Sequence, residues 1–255
     1  MTEPLNWSIA TEQSATSTSD LAKRAAARGA SSGQAFLAIE QTAGRGRHGR
    51  NWVSQKGGMY LSVLLRPSMP VDHWFAFSFV ASLSVLEAVR GQLATHLSPA
   101  DMPQTGLKWP NDVIVEGGKI SGILLEVEGK ALIVGSGINI APVEHIESQY
   151  TAPIALADIW PDRAGDLPQP YDLATAYLDR LEVWYGRFCQ LGFGSIRDAW
   201  LENALFLDKR VVVQCDTKAL AGVFCDLGMD GTMLLLDDSG QTLHITTGDV
   251  KLMGN

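Results

Sequence analysis

Between Glu40 and Pro67 the chain reads EQTAGRGRHGRNWVSQKGGMYLSVLLRP, in which Gly44, Gly46 and Gly49 alternate with Arg45, Arg47 and Arg50. Glycines let a backbone turn through positive φ and approach a ligand closely, so bare N–H groups and guanidinium forks can converge on one phosphate or carboxylate. The loop therefore suits a strongly anionic ligand. A solvated basic loop, or a segment gripping a nucleic-acid backbone, has the same local composition. A second run, LKWPNDVIVEGGKISGILLEVEG at 107–129, carries Asn111, Asp112 and, seven residues on, Lys119 beside a Gly-Gly turn. ALIVGSGINI at 131–140 adds Asn139. A lysine beside a turn can be merely solvated, and an aspartate in Pro-Asn-Asp can be merely a turn former.

The elements that must position these groups are readable in part. QAFLAIE before the arginine loop and Met59–Arg66 after it are apolar, β-prone runs bounded by Gly and Pro, so the loop is expected to join two strands. The hydroxyl-rich stretch Ser14–Ser19 precedes a helix-favouring run from Asp20, with Ser19 or Asp20 as the expected N-cap. Trp74–Leu93 reads as a buried helix ending near Gly91, its aromatic cluster being core. Val113–Glu116, Lys119–Glu128 and Ala131–Ile140 read as an antiparallel meander. Residues 142–170, with five prolines, are expected to wrap the surface irregularly. Tyr171–Gln190 and Ser195–Asn203 have helical spacing, and from Leu207 short alternating strands suggest a small closed or semi-closed β-domain.

Composition bounds the class. In 255 residues, 46% are hydrophobic, which permits one or two domains with a sizeable core. A net charge of −8 disfavours a general nucleic-acid binder, because positive charge is concentrated only at the arginine loop. No signal peptide or membrane span is expected: the N-terminus lacks a basic region followed by an apolar one, and Glu87 and Arg90 interrupt the longest apolar stretch. Cys189, Cys215 and Cys225 lack metal-ligand spacing and read as reduced thiols in a cytoplasm.

Taken together, Q-x-x-GRGRxGR-x-W, KWPND, GGK-x-x-GIL and GxGIN, in this order and at these separations, resemble the biotin protein ligases, which adenylate biotin and attach it to a lysine of a carrier domain. The resemblance runs from about Ser17 to the C-terminus. It implies an α+β fold with a mixed, largely antiparallel sheet and helices, the class II synthetase-like catalytic domain of biotin and lipoate ligases, over residues 1–205. A small SH3-like β-barrel over 206–255 is implied to follow, with Thr247-Gly248-Asp249-Val250 near the family's closing signature. Bifunctional members carry a winged helix-turn-helix domain ahead of the catalytic one. Only sixteen residues precede Ser17, so a monofunctional ligase that does not bind DNA is expected.

The resemblance also assigns roles. Ser17, Thr18 and Ser19 stand where the family holds the ureido ring of biotin, with Ser19 in place of an asparagine. Gln41, Arg45, Gly46 and Arg47 would contact biotin or its adenylate, and Lys119 the biotin carboxylate. Arg47, Arg50, Trp52, Asn111 and Asn139 would serve ATP, with Asn139 at the metal. Lys119, Arg47 and Asp112 form the implied catalytic set, Asp112 orienting or deprotonating the carrier lysine. The implied substrates and cofactors are ATP, biotin and Mg²⁺. The implied partner is a biotin carboxyl carrier domain of acetyl-CoA carboxylase or another biotin-dependent carboxylase, and a homodimer is left open. Two other classes stay open on residues alone: a lipoate- or octanoate-protein ligase, and a non-catalytic biotin-sensing or nucleic-acid-binding protein.

Overall fold

In the computed structural model, residues 5–143, 151–160, 167–215 and 218–253 are described. The chain runs β1 (Ser8–Glu12), α1 (Thr18–Ala27), β2 (Gln34–Ala38), β3 (Met59–Leu65), α2 (Ala76–Ala94), β4 (Thr105–Lys108), β5 (Asp112–Val115), β6 (Gly118–Glu128) and β7 (Ala131–Ile138). Then come α3 (Leu156–Ile159), α4 (Pro170–Leu191) and α5 (Phe193–Glu202), followed by β8 (Arg210–Gln214), β9 (Ala219–Leu227), β10 (Met233–Leu236), β11 (Thr242–Ile245) and β12 (Asp249–Leu252). The first seven strands form one sheet in the order β1-β2-β3-β7-β6-β5-β4, and the last five a second sheet, β11-β10-β9-β8-β12. Only β1 and β2 pair in parallel; every other neighbour is antiparallel. The mixed α+β architecture is thus the expected one.

Side-chain alternation gives the large sheet two different faces. On β3, Met59, Leu61, Val63 and Leu65 point into the main core with α2, α4 and α5. On the other face Leu64 packs with Ala22 and Ala26 of α1 and with Ala131 and Ile133 of β7. Farther along that second face the side chains shrink or become polar: Tyr60 and Ser62 on β3, Gly135 and Gly137 on β7. The same strands therefore make a dry floor beneath α1 and an open, polar floor beside it.

Helix α2 is buried almost all round because the sheet lies under it and α4 and α5 lie over it. Val71–Ala94 is long and apolar enough to cross a bilayer by composition, but most of it is spent in this core. It continues through Gly91 to Ala94, beyond the expected stop, since fully buried Leu93 anchors the last turn. Two other expectations are corrected, and two strands were not anticipated. The N-cap of α1 is Ser17, whose hydroxyl accepts from the Ser19 amide, not Ser19 or Asp20. The short strands β1 and β4 extend the sheet at both edges. Within 142–170, part of which falls outside the described residues, the stretch 151–160 is built into the fold: Ala155, Leu156 and Trp160 are buried, and Lys119 pairs with Pro153 as a β-bridge.

One buried polar pair ties the sheet to α4: Ser136 Oγ lies 2.9 Å from Tyr177 Oη, both shielded from solvent. Removing one partner strands the other hydroxyl, a penalty of about 1–3 kcal/mol. Tyr177→Phe should lower urea-unfolding stability by that order, and Ser136→Ala/Tyr177→Phe should recover part of the loss. A double variant as unstable as the sum of the two single changes would show that the hydroxyls are not coupled.

Candidate active site

All thirteen residues singled out from the sequence line one cleft of about 240 Å³ on the open part of the sheet's second face. Its closed end is a chain of hydroxyls and one amide. Thr18 donates to Gln41 Oε1 through its backbone N–H (2.8 Å) and its hydroxyl is 3.1 Å from the same oxygen. Ser62 Oγ, fully buried, lies 2.8 Å from Thr18 Oγ1 and 3.2 Å from Ser19 Oγ. Gln41 Nε2 donates to Ser54 Oγ at 2.8 Å, fixing the amide's orientation. Donors and acceptors so arranged suit a small polar ring such as a cyclic urea. Ser62 was not anticipated, though a serine alternating with apolar residues in MYLSVLL is the signal that could have found it.

The floor is glycine by necessity. A Cβ on Gly137 would come within 2.5 Å of Trp52 Nε1, and one on Gly135 within 3.2 Å of Ser19 Oγ. Trp52 therefore lies against the sheet over Gly122 and Gly137, its ring 5.5 Å from Lys119 Nζ. Its indole N–H is buried and finds no acceptor among the described residues.

The arginine loop crosses above this floor, turning at His48 (φ 54°) and Gly49 (φ 70°). Each arginine is held differently. Arg45 Nη2 is 2.7 Å from Asp20 Oδ1 and 3.4 Å from Glu126 Oε2, which pins the loop to α1 and β6. Arg47 donates to Asn111 Oδ1 (3.3 Å) and to Thr247 Oγ1 (3.2 Å), and burial lowers its affinity for its proton against the pull of Asp112 and Asp249. Arg50 reaches both oxygens of Asp249 at 3.1 and 3.2 Å. The Gly46 N–H donates to the Arg50 carbonyl at 2.7 Å, closing the turn. The second sheet thus supplies Thr247 and Asp249 to the loop, and Asp249 also lines the cleft, roles not assigned from the sequence.

Lys119 sits where expected, at the mouth of the β5–β6 hairpin, whose Glu116 and Gly117 both take positive φ (47° and 76°), as a two-residue turn of this hand requires. Its Nζ is 2.5 Å from Asp112 Oδ1. Behind them, Lys108 Nζ is 3.7 Å from Asp112 Oδ2 and donates to Thr151 Oγ1 at 2.7 Å. Burial pushes the Lys108 ammonium below the ordinary lysine range, with Asp112 opposing. Asn111 donates to the Ile123 carbonyl, and Asn139 spends its amide hydrogens on the carbonyls of Ile154 (3.0 Å) and Lys119 (3.4 Å), so its side-chain oxygen is the end that could meet a ligand. No cluster of three or more His, Cys, Asp or Glu that could cage a metal exists among the described residues. That donor set fits Mg²⁺ only as an ion carried largely by a nucleotide's phosphates and water, the usual mode for this cation.

The cleft thus combines hydroxyl and amide groups at one end, a lysine at the other and arginines across the gap, an arrangement that suits an acid and a phosphate brought together. Residues 11–141 match the model of the biotin/lipoate A/B protein ligase family. A biotin–[acetyl-CoA-carboxylase] ligase of Mycobacterium tuberculosis is 34% identical over 246 residues, 93% of this chain and 86% of that protein. Its counterpart in Paracoccus denitrificans is 32% identical over 219 residues, 82% and 87% of the two chains. The structure of biotin protein ligase from Aquifex aeolicus in complex with biotin and ATP is similar at a TM-score of 0.80 over 97% of this chain and 99% of that one, with 29% identity. The chain belongs to the biotin/lipoate A/B protein ligase family.

The acids that hold the loop make its anchoring sensitive to pH. The Arg45 hydrogen bond holds the Asp20 carboxyl below its ordinary value of 3.8, against partial burial. For Glu126, burial raises the value, but Lys23 and Arg45 outweigh it and the net shift is downward. A carboxylate lowered on folding contributes stability that is complete above its ordinary value and is lost as pH falls through the folded one. Acidification below about pH 4 should therefore weaken this anchor, and Asp20→Asn should show a shallower acid loss of thermal stability than wild type. Parallel acid-melting curves for the two proteins would remove Asp20 from the anchor.

Proposed function

We propose that this enzyme activates biotin with ATP and transfers it to one lysine of a biotin carboxyl carrier domain, in the cytoplasm. The observation that carries the reading is the span of the cleft: hydroxyl and amide groups at one end, Lys119 at the other, and Arg47 between the KWPND turn and the second sheet. The names of the relatives point to the carrier domain of acetyl-CoA carboxylase as acceptor.

A carboxylate does not acylate an amine at neutral pH and must first become an anhydride. In this reading the biotin carboxylate oxygen attacks the α-phosphorus of ATP, forming biotinyl-5'-AMP and releasing pyrophosphate. Two anions must meet, so their repulsion has to be offset where they meet. Lys119 faces the carboxylate, Arg47 and Arg50 face the phosphates, and Ser17, Thr18, Ser19 and Gln41 hold the ureido ring at the closed end. Arg45 and Gly46 contact biotin or its adenylate from the loop, and Trp52, beside Lys119 on the floor, faces the nucleotide. Asn111 and Asn139 stand toward the nucleotide, Asn139 offering an oxygen to Mg²⁺, which when bound neutralises phosphate charge. In the second step the carrier amine attacks the carbonyl carbon and AMP leaves; Asp112 orients that amine or takes its proton.

The deciding experiment is incubation with ATP, Mg²⁺, biotin and a purified carrier domain, followed by the mass of the carrier. Biotin-dependent ATP–pyrophosphate exchange, with no exchange on lipoate or octanoate, separates this reading from its nearest enzymatic neighbour. Tight, salt-sensitive DNA binding without such exchange would overturn it.

Lys119→Ala removes a cation aimed at developing charge, a contact worth roughly 2.7–4 kcal/mol at such sites. Pyrophosphate exchange should fall at least about a hundredfold. Near-wild-type exchange by a folded variant would take Lys119 out of the mechanism. Arg47→Gly should behave differently, because Arg47 staples the loop both to Asn111 and to Thr247. Without it the mixed anhydride should escape into solvent and acylate exposed lysines of bystander proteins. The measurement is biotin on an unrelated lysine-rich protein at matched rates of adenylate formation; labelling no faster than wild type would exclude a retaining role.

A further inference from the structure

Lys108 lies outside every role assigned above, yet it is a cation with a side chain only 4% exposed, placed directly behind the reacting groups. It and Lys119 divide one carboxylate between them. Lys119 holds Asp112 Oδ1 at 2.5 Å, and Lys108 stands 3.7 Å from Oδ2. The two lysines are not equivalent. The Lys119 side chain is 26% exposed and opens on the cleft, whereas Lys108 is tied to Thr151 Oγ1 at 2.7 Å and cannot leave. Arg47 also bears on Asp112 from the loop, while Arg50 and Asp249 bear on Lys108 from the side of the second sheet.

This arrangement has a consequence for binding. A carboxylate ligand that recruits Lys119 takes from Asp112 its shortest partner and brings a second negative charge close by. Asp112 is itself buried, and a buried carboxylate left without a cation is strongly unfavourable. Unless another charge takes over, Asp112 competes with the ligand for Lys119. We propose that Lys108 is the fixed counter-ion that lets Asp112 release Lys119 to the substrate carboxylate, a positioning residue for the activation step. The proposal rests on the reading that Lys119 receives the biotin carboxylate.

The competition makes a signed prediction that a merely structural lysine does not. In biotin-dependent pyrophosphate exchange, Lys108→Met should raise the KM for biotin about tenfold or more, with kcat at saturating biotin within about threefold of wild type. Asp112→Asn, which removes the competitor, should lower the KM for biotin. In the double variant Lys108→Met/Asp112→Asn, which leaves neither charge unpaired, the KM should return to near that of Asp112→Asn alone. Should Lys108→Met alone fail to fold, the other two variants still decide. An unchanged KM in a folded Lys108→Met, a raised KM in Asp112→Asn, or a double variant with a KM well above that of Asp112→Asn overturns the proposal. Wild type without biotin-dependent exchange overturns the functional reading itself, and is a different result from exchange that is indifferent to Lys108.

Discussion

Repulsion between like charges is the constraint around which the rest of this molecule is arranged. Arg45, Arg47, Arg50, Lys108 and Lys119 share one cleft region, and unopposed they would drive the glycine-rich loop away from the sheet. Each is held by an oxygen from a different part of the chain: Asp20 of α1 and Glu126 of β6 for Arg45, Asn111 and Thr247 for Arg47, Asp249 for Arg50, Asp112 for both lysines, and Thr151 for Lys108. The arginine pairs are partly exposed and individually weak as stabilisers, whereas Lys108 and Asp112 are buried. The weakness of the arginine pairs suits the chemistry, since an arriving phosphate or carboxylate has only to exchange one oxygen partner for another.

That exchange explains why two sheets are needed. Trp109, in the turn that also carries Asn111 and Asp112, donates its indole N–H to the Gly231 carbonyl of the second sheet at 3.0 Å. Arg197 of α5 reaches Asp226 and the Leu227 carbonyl of the same sheet. These contacts tie the second sheet to the turn at 109–112 and to α5. A substitution at Gly231, where a Cβ would meet the rings of Phe75 and Phe79 within 3.0 Å, would therefore disturb the turn at 109–112 as well.

Much of this was legible in sequence because its causes are local. Glycine alternation forecasts a close-approach loop, and the Gly117-Gly118 turn beside Lys119 forecasts a hairpin, whereas the floor made by Gly135 and Gly137 was not foreseen. What sequence concealed depends on long-range pairing. Thr151 and Pro153 sit in a proline-rich stretch with no periodicity, and only the partnership with Lys108 and Lys119 gives them a place. β1 and β4 are short and gain their regularity from a neighbouring strand. Asp249 belongs to a stretch noted near the family's closing signature, but its pairing with Arg50 of the loop could not be read from either segment alone. Gly91 failed as a helix stop because packing of Leu93 outweighs a local glycine penalty of about 1 kcal/mol.

Ser19 shows how a departure from the family pattern is absorbed. The resemblance places an asparagine here, and an amide could reach a ligand directly. The shorter serine instead turns its hydroxyl to Ser62 Oγ at 3.2 Å, above Gly135, where a Cβ would already press against it. Ser62 in turn holds Thr18, and Thr18 holds Gln41, so the hydroxyl of Ser19 acts on the closed end through two neighbours. Because Gln41 Oε1 can only accept, Thr18 donates to it, Ser62 to Thr18 and Ser19 to Ser62, so the chain of hydroxyls runs in one direction set by the amide. The closed end thus keeps its polarity while its rigidity passes from one side chain to a network, with Ser62 at the junction.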